Sequence, residues 1–385
     1  MTRSVRYSIC CFLGVLVGML SGGGTGAAAQ TTLELRGYAK NLGIRSSSIL
    51  SNEAYLLDIS RLRAQGLLGV GGGFHAELWL DTELLLGSFL DTPEFALGQS
   101  LERPTFFDLD WKVAEGKRYH LRQQFFRAFA TLYLGQTQVT VGRQRIAWGT
   151  GFAWNPTDVL NPFNPSAIEL GEKAGVDAAY VAIPLGAFSR VEAVVAPGRH
   201  RDRTSAALRA STNWREYDVS VMGGLFRDDW VLGGDFAGYL GNAGFRGEVA
   251  YTWKQDGRNH LRAVLNADYT FSGGYYVLVE WYYNGQGTRD KGQYDVAALL
   301  AGETFNVARD YLAASVARSI TPLLSGAAYS LVNLDDQSSL IGPSFTYSLA
   351  ENLDLLASTY FFIGKSDTEF GAQEHVFFGA LQFYF

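Results

Sequence analysis

Cysteine is nearly absent from this chain. Its two copies, Cys10 and Cys11, are adjacent and lie in the N-terminal stretch. Everything after residue 29 is cysteine-free, which excludes a disulfide framework, a thiolate metal site and a cysteine nucleophile. Excess positive charge is also missing: the formal net charge is −6, which speaks against a nucleic-acid partner. No apolar run beyond the N-terminus is long enough for a membrane-spanning helix. The sequence holds no Gly-x-Ser-x-Gly elbow, no His-Glu-x-x-His site and no phosphate loop, so the common enzyme signatures are lacking. Neither a linker nor a solenoid or propeller repeat is found.

What is present begins with a leader. Arg3 and Arg6 form a basic start, Cys10 to Leu20 is apolar apart from Gly, and Ala27-Ala28-Ala29 precedes Gln30. This pattern reads as a secretory signal over 1–29, too short to span a bilayer. Loss of Arg3 and Arg6 with the leader takes the net charge to −8. Residues 30–385 read as one domain.

Mean hydropathy is 0.00, a soluble value. Aromatics nevertheless make up 14% and Gly numbers 44. A transmembrane antiparallel β-barrel reconciles these facts, because only every second strand residue meets lipid and the rest line a wet lumen. Eighteen alternating segments are expected near 32–41, 54–65, 72–83, 121–134, 137–147, 174–184, 188–196, 204–213, 217–225, 230–239, 243–254, 260–271, 275–284, 309–319, 323–332, 339–349, 353–364 and 374–385. Sixteen is the alternative count. Phe245, Gly247, Val249, Tyr251 and Trp253 oppose Arg246, Glu248, Ala250, Thr252 and Lys254, apolar outward and polar inward. The long gaps, 42–53, 84–120, 148–173 and 285–308, are all odd-numbered. With the N-terminus in the periplasm they become long outer loops, and the short even gaps become periplasmic turns.

The chain ends His375-Val376-Phe377-Phe378-Gly379-Ala380-Leu381-Gln382-Phe383-Tyr384-Phe385, with Phe377, Gly379, Leu381, Phe383 and Phe385 on one face. The ending resembles the C-terminal assembly signal of Gram-negative outer-membrane β-barrels, and Phe383 and Phe385 carry the likeness. The resemblance implies an outer-membrane location, lipid and lipopolysaccharide as surroundings, and the barrel assembly machinery as a partner. A second stretch, Gly142-Arg143-Gln144-Arg145-Ile146-Ala147-Trp148-Gly149-Thr150-Gly151 through Trp154-Asn155-Pro156-Thr157-Asp158 to Asn161-Pro162, resembles alginate-export type channel proteins and related porin-like proteins. The likeness covers residues 139–165. It implies a lumenal constriction arginine and a third outer loop folded into the pore.

Inward-facing charges expected along a substrate path are Arg36, Lys40, Arg127, Arg143, Arg145, Arg209, Arg246, Arg262, Arg318, Glu248, Asp268 and Glu280. Arginines in such number favour an anionic or polyhydroxylated solute; ion pairs that brace the wall would give the same pattern. Strict alternation sets Arg143 and Arg145 on the face of Val139 and Val141, so either a bulge near Gly142 turns them inward or they lie at the outer rim. Trp148, Trp154, Asn155 and Asp158 are candidates for a constriction in the loop at 148–173. The tryptophans are placed either to stack on sugar rings or to anchor the loop. Asp228-Asp229 and Asp335-Asp336 read as solvated turns rather than a calcium site. No metal and no cofactor are implied. The reading is a passive channel or export conduit for a small polar solute or polysaccharide. The alternatives are a polysaccharide assembly or anchoring barrel with a closed lumen, a hydrophobic-substrate channel with a greasy pocket at Phe106 and Phe107, and an outer-membrane enzyme.

Overall fold

The computed structural model describes residues 30–100, 105–162, 164–169, 172–255, 257–300 and 304–385; the leader at 1–29 lies outside them. Nineteen strands are present: β1 (Thr31–Ser47), β2 (Ala54–Val70), β3 (Phe74–Leu86), β4 (Asp110–Gly116), β5 (Tyr119–Leu134), β6 (Thr137–Gln144), β7 (Val176–Pro184), β8 (Arg190–Ala196), β9 (Ser205–Trp214), β10 (Tyr217–Phe226), β11 (Asp229–Leu240), β12 (Ala243–Trp253), β13 (His260–Thr270), β14 (Tyr276–Asn284), β15 (Asp310–Ser319), β16 (Leu324–Asn333), β17 (Ser339–Ala350), β18 (Leu353–Ile363) and β19 (Val376–Tyr384). Eighteen of them close an antiparallel barrel, each paired with its neighbours in chain order. β19 closes onto β1 in the register Tyr38↔Tyr384 to Arg45↔Phe377. The nineteenth, β4, is an extra short strand that pairs only with residues 119–124 of β5. No helix among the described residues is long and apolar enough to cross a membrane.

All eighteen expected segments are strands, and the sixteen-stranded alternative falls away. The first expected gap was too long, because β1 runs on to Ser47 and leaves only 48–53 as a loop. The end of the barrel away from the termini carries the long connections at 87–118, 145–175 and 285–309; the other end has tight turns. At the turn joining β9 and β10, Arg215 and Glu216 both take positive φ, 50° and 69°, which suits the twist of a two-residue hairpin.

Alternation sorts the wall as its period requires. Leu208, Val221, Leu232, Val249, Val279 and Leu381 are exposed on the outside, the face that a membrane-spanning barrel turns to lipid. Inside, Arg63, Asp81, Glu83, Glu248 and Glu280 are buried. The inner wall is not uniformly polar, as the alternation had suggested. Leu42, Leu331, Leu340, Tyr360 and Phe378 form one apolar cluster with Trp154, and Met222, Val231 and Ala250 form another with Ile146 and Trp148. Both clusters are places where the 145–175 connection packs against the wall. Burial of each large side chain there contributes about 1.5–3 kcal/mol.

Candidate conduit and its infolded loop

The connection between β6 and β7 leaves the wall after Gln144 and enters the lumen. Two wall carboxylates hold its first half. Glu280 on β14 accepts hydrogen bonds from the backbone N–H groups of Phe152, Ala153 and Trp154 at 2.6, 2.8 and 3.0 Å, and a fourth from Asn266 Nδ2. Glu248 on β12 accepts from the N–H of Thr150, Gly151 and Thr157 and from Thr157 Oγ1. A loop carried into a closed space needs partners for its backbone donors; these carboxylates supply them. Trp154 stacks on Tyr282 with ring centroids 4.9 Å apart, and its Nε1 donates to Asn306 Oδ1 at 2.7 Å.

The second half crosses toward the opposite wall. Arg61 on β2 grips Glu169 with two guanidinium nitrogens at 2.9 and 2.7 Å, and Lys40 on β1 reaches the same carboxylate at 2.8 Å. Arg63 pairs with Glu172 and with Asp81 of β3. Tyr329 and Tyr360 donate to the carbonyls of Pro165 and Ala167 at 3.0 Å each. Within the loop, Lys173 pairs with Asp158, and Asp158 N donates to the Asn155 carbonyl at 3.1 Å. Asn155 and Asp158 therefore shape the loop itself.

Spaces remain around the loop. The largest, about 1010 Å³, lies against β1–β3, β5 and β16–β19, with Lys40, Arg61, Arg63, Arg122, Glu169 and Tyr360 in its lining. Its cations are matched: Arg61 and Arg122 share Glu83, and Arg63 has Asp81. A smaller cavity of about 400 Å³ lies on the other side, lined by Arg127, Arg145, Trp79 and Trp148 among others. A third, about 500 Å³, opens at the loop end beside Arg262 and Lys254.

The expected path residues divide accordingly. Arg36 and Lys40 line the largest space and Arg127 and Arg145 the smaller. Arg209 is held by Glu192 and Asp235, and Arg246 by Asp268, as braces on the inner wall. Arg262 donates to the Pro156 carbonyl at 3.3 Å. Glu248 and Glu280 are loop anchors rather than open lining.

Two assignments are corrected. Arg318 is not lumenal. It neighbours Ala317, which pairs with inward Tyr276, so Arg318 faces outward, with its guanidinium 4.5 Å from the Tyr275 ring. Arg143 is not a pore constriction. It lies in register with Ala128 and Asp177, on the outward set of Val139 and Val141. There it is buried in a clamp with Asp177, at 2.8 Å, and with the Phe107 carbonyl, also at 2.8 Å. Gly142 is kinked, φ 122°, and a Cβ there would lie 2.2 Å from the Ala128 carbonyl oxygen. Arg145 reaches the lumen because β6 has already ended.

Trp148 and Trp154 are 3% and 5% exposed, so neither offers a face to a polymer outside the barrel. Phe107 is fastened by its backbone to Asp177 and Arg143. Phe106 and Phe107 remain exposed at the rim and line none of the three cavities. Asp229 is taken up by Lys254, and Asp335 by the Arg309 and Asp310 N–H groups.

Residues not singled out from sequence are Arg61, Arg63, Glu83, Arg122, Glu169 and Glu172. A signal existed for three of them, Arg61, Arg63 and Glu83: Arg61-x-Arg63 and Asp81-x-Glu83 sit at matching distances from the turn at 71–73, and that register pairs them across β2 and β3.

Two loop carboxylates titrate in opposite senses. Burial pushes Asp158 up to about 6, against the pull of Lys173. Burial also acts to raise Glu169, but Arg61 and Lys40 outweigh it and hold the group at about 2. Asp158, being raised, stabilises the folded loop below its ordinary value of 3.8, and that contribution is lost as pH rises through about 6. Glu169, being depressed, stabilises it above 4.5, and that contribution is lost only as pH falls through about 2. Between about pH 7 and about pH 5 the Asp158–Lys173 pair therefore gains one positive charge. Reversal potentials in a salt gradient should shift toward anions over that interval. Asp158→Asn should show the shifted value already at neutral pH and no step.

No protein-family model matches the chain, and no curated protein matches it. Solved structures do. OccK7 (OpdD) of Pseudomonas aeruginosa matches with TM-score 0.55 and 11% identity over 94% of this chain and 99% of that one. The outer membrane protein OprD of the same organism matches with TM-score 0.57 and 10% identity, over 92% and 93%. OccAB4 of Acinetobacter baumannii matches with TM-score 0.57 and 8% identity, over 92% and 99%. What is shared is the fold, a closed antiparallel β-barrel.

Proposed function

We propose that the barrel is a passive outer-membrane channel for a small polar solute, and that the solute passes between the infolded loop and the β1–β3 and β16–β19 walls. One observation carries this reading. The loop is bonded to both sides of the lumen, yet a charged space of about 1010 Å³ stays beside it. A fixed constriction next to a wet cavity is what a selective pore needs.

The lining favours a polyhydroxylated or mixed-charge solute over a bare anion. Arg61, Arg63, Arg122 and Lys40 each face a carboxylate, so hydroxyl groups can find both donors and acceptors while the net field stays small. The reading contains no catalytic step. Burial of Trp148 and Trp154 weighs against a polysaccharide anchor. Lipid would meet the exposed apolar belt of the outer wall. The assembly machinery would meet β19, whose Phe385 backbone pairs with Gly37 at 2.8 and 3.0 Å once the barrel closes.

Proteoliposome swelling tests the reading. Vesicles carrying the mature barrel should swell in small sugars such as glucose and stay unchanged in a large dextran. Absence of swelling in glucose from a folded barrel would count against it.

A further inference from the structure

We propose that the outside of the wall at the far ends of β6–β8 is a docking site for a phosphorylated glycolipid of the outer leaflet. Its phosphates would meet the arginines of the 197–204 connection, and its acyl chains Phe106 and Phe107. The inference rests on the proposed outer-membrane location and does not need an open lumen.

The wall is low here. β6, β7 and β8 have 8, 9 and 7 residues, whereas a tilted strand needs roughly 9–11 to cross a bilayer. β1 and β2, by contrast, run for 17 each. Short strands bring the connections that follow them down to the depth of lipid headgroups.

Two connections meet at that level. The 105–108 segment crosses the outside of the wall. Phe107 N donates to Asp177 Oδ2 at 2.8 Å and its carbonyl accepts from Arg143 Nη2 at 2.8 Å, and both partners belong to the outward set. The 197–204 connection joins it, with Arg199 Nε donating to the Thr105 carbonyl at 3.2 Å. Along the same strands, one step nearer the middle of the wall, Val141, Ala179 and Val195 form an apolar row in direct register, and all three are exposed. Phe106 and Phe107 are 42% and 45% exposed, with their rings edge-on at 5.0 Å.

The charge beside these aromatics is one-sided. The 197–204 connection carries Arg199, Arg201 and Arg203 against Asp202. All three arginines are exposed, and among the described residues none makes an ion pair. Inside the barrel, Arg61, Arg63 and Arg209 each have a carboxylate. The chain as a whole is acidic, at −6, so unmatched arginines gathered in one short loop are not a matter of average composition.

Apolar surface at hydrocarbon depth beside unmatched cations at headgroup depth is the complement of an anionic lipid. A soluble anion would leave Phe106 and Phe107 uncovered. A zwitterionic phospholipid would bring its own ammonium against the arginines. A lipid with more than one phosphate and several acyl chains matches both parts, and guanidinium forks suit phosphate.

Native mass spectrometry of the refolded mature barrel in detergent tests the site. Diphosphoryl lipid A is the probe, with phosphatidylethanolamine and inorganic phosphate as controls, all in the presence of EDTA. Lipid A should be retained saturably as a single copy, and neither control should be. Arg199→Gln/Arg201→Gln should weaken retention about tenfold or more, and Phe106→Ser/Phe107→Ser should weaken it as well. Raised ammonium acetate should release lipid A from the parent, which reads the same contact without a substitution. Equal retention of lipid A and phosphatidylethanolamine, retention that EDTA abolishes, or unchanged affinity in the folded arginine variant would overturn the proposal. The assay reads binding without conduction: a barrel that swells vesicles but ignores lipid A sinks the site alone, and one that keeps lipid A but stays closed sinks the channel alone.

Discussion

Glu280→Ala should free the infolded loop. The substitution strips the acceptor from three successive backbone N–H groups, those of Phe152, Ala153 and Trp154, in a part of the lumen where Glu280 is 0% exposed. Each unpaired buried donor costs about 1–3 kcal/mol. A total of roughly 3 kcal/mol or more shifts the loop's docked-to-released balance by at least about a hundredfold. Two readings should move together. Single-channel current should rise and become noisy, and proteinase K should cut between residues 148 and 160, a region the parent should protect. Glu280→Gln retains one acceptor oxygen and should fall between the two. Unchanged protection in Glu280→Ala would mean that the stacking of Trp154 on Tyr282, with the remaining contacts, holds the loop unaided.

Arg143→Ala should damage the barrel rather than its selectivity. Arg143 and Asp177 are 6% and 3% exposed, and the guanidinium also holds the carbonyls of Phe107 and Phe125. Removing one partner of a buried pair leaves the other charge uncompensated, at a cost of about 3–5 kcal/mol. Urea unfolding of the barrel in lipid vesicles should show that loss. Arg143→Ala/Asp177→Ala should cost less than the two single changes added together, since no lone charge is left. Whatever fraction folds should keep the parent's reversal potential. A pronounced change in ion selectivity with stability unchanged would restore Arg143 to the pore.

The contrast between these residues shows what was legible in the sequence. Alternation is a local signal of period two, and each spanning strand repeats it, so all eighteen could be placed. The odd-numbered long gaps put the long connections at one end, as the structure has them. β4 was missed because it never crosses the wall; it is an edge added to residues 119–124 of β5 inside a long loop. The roles of Glu248 and Glu280 were hidden for a different reason. Inward parity marked both as lumenal, but their partners lie 91 to 128 residues away in an irregular segment, and no periodicity reports such pairing. Arg318 and Arg143 were misjudged against parity: strict alternation already set Arg143 with Val139 and Val141, and Arg318 shares the outward face of Leu312, Ala314 and Val316. Arg318 joins an outward tyrosine at one rim, and Arg143 is covered by the Phe107 segment at the other. The matched charges of β2 and β3 could have been found, because a hairpin register follows from its turn.

The most direct test of the account is a single-channel recording of the refolded mature barrel in a planar bilayer under a salt gradient. An open path beside a docked loop, lined by paired charges, predicts steady unitary steps with weak ion selectivity. A correctly folded barrel that inserts and stays silent would contradict that path and leave the lumen closed by its own loop.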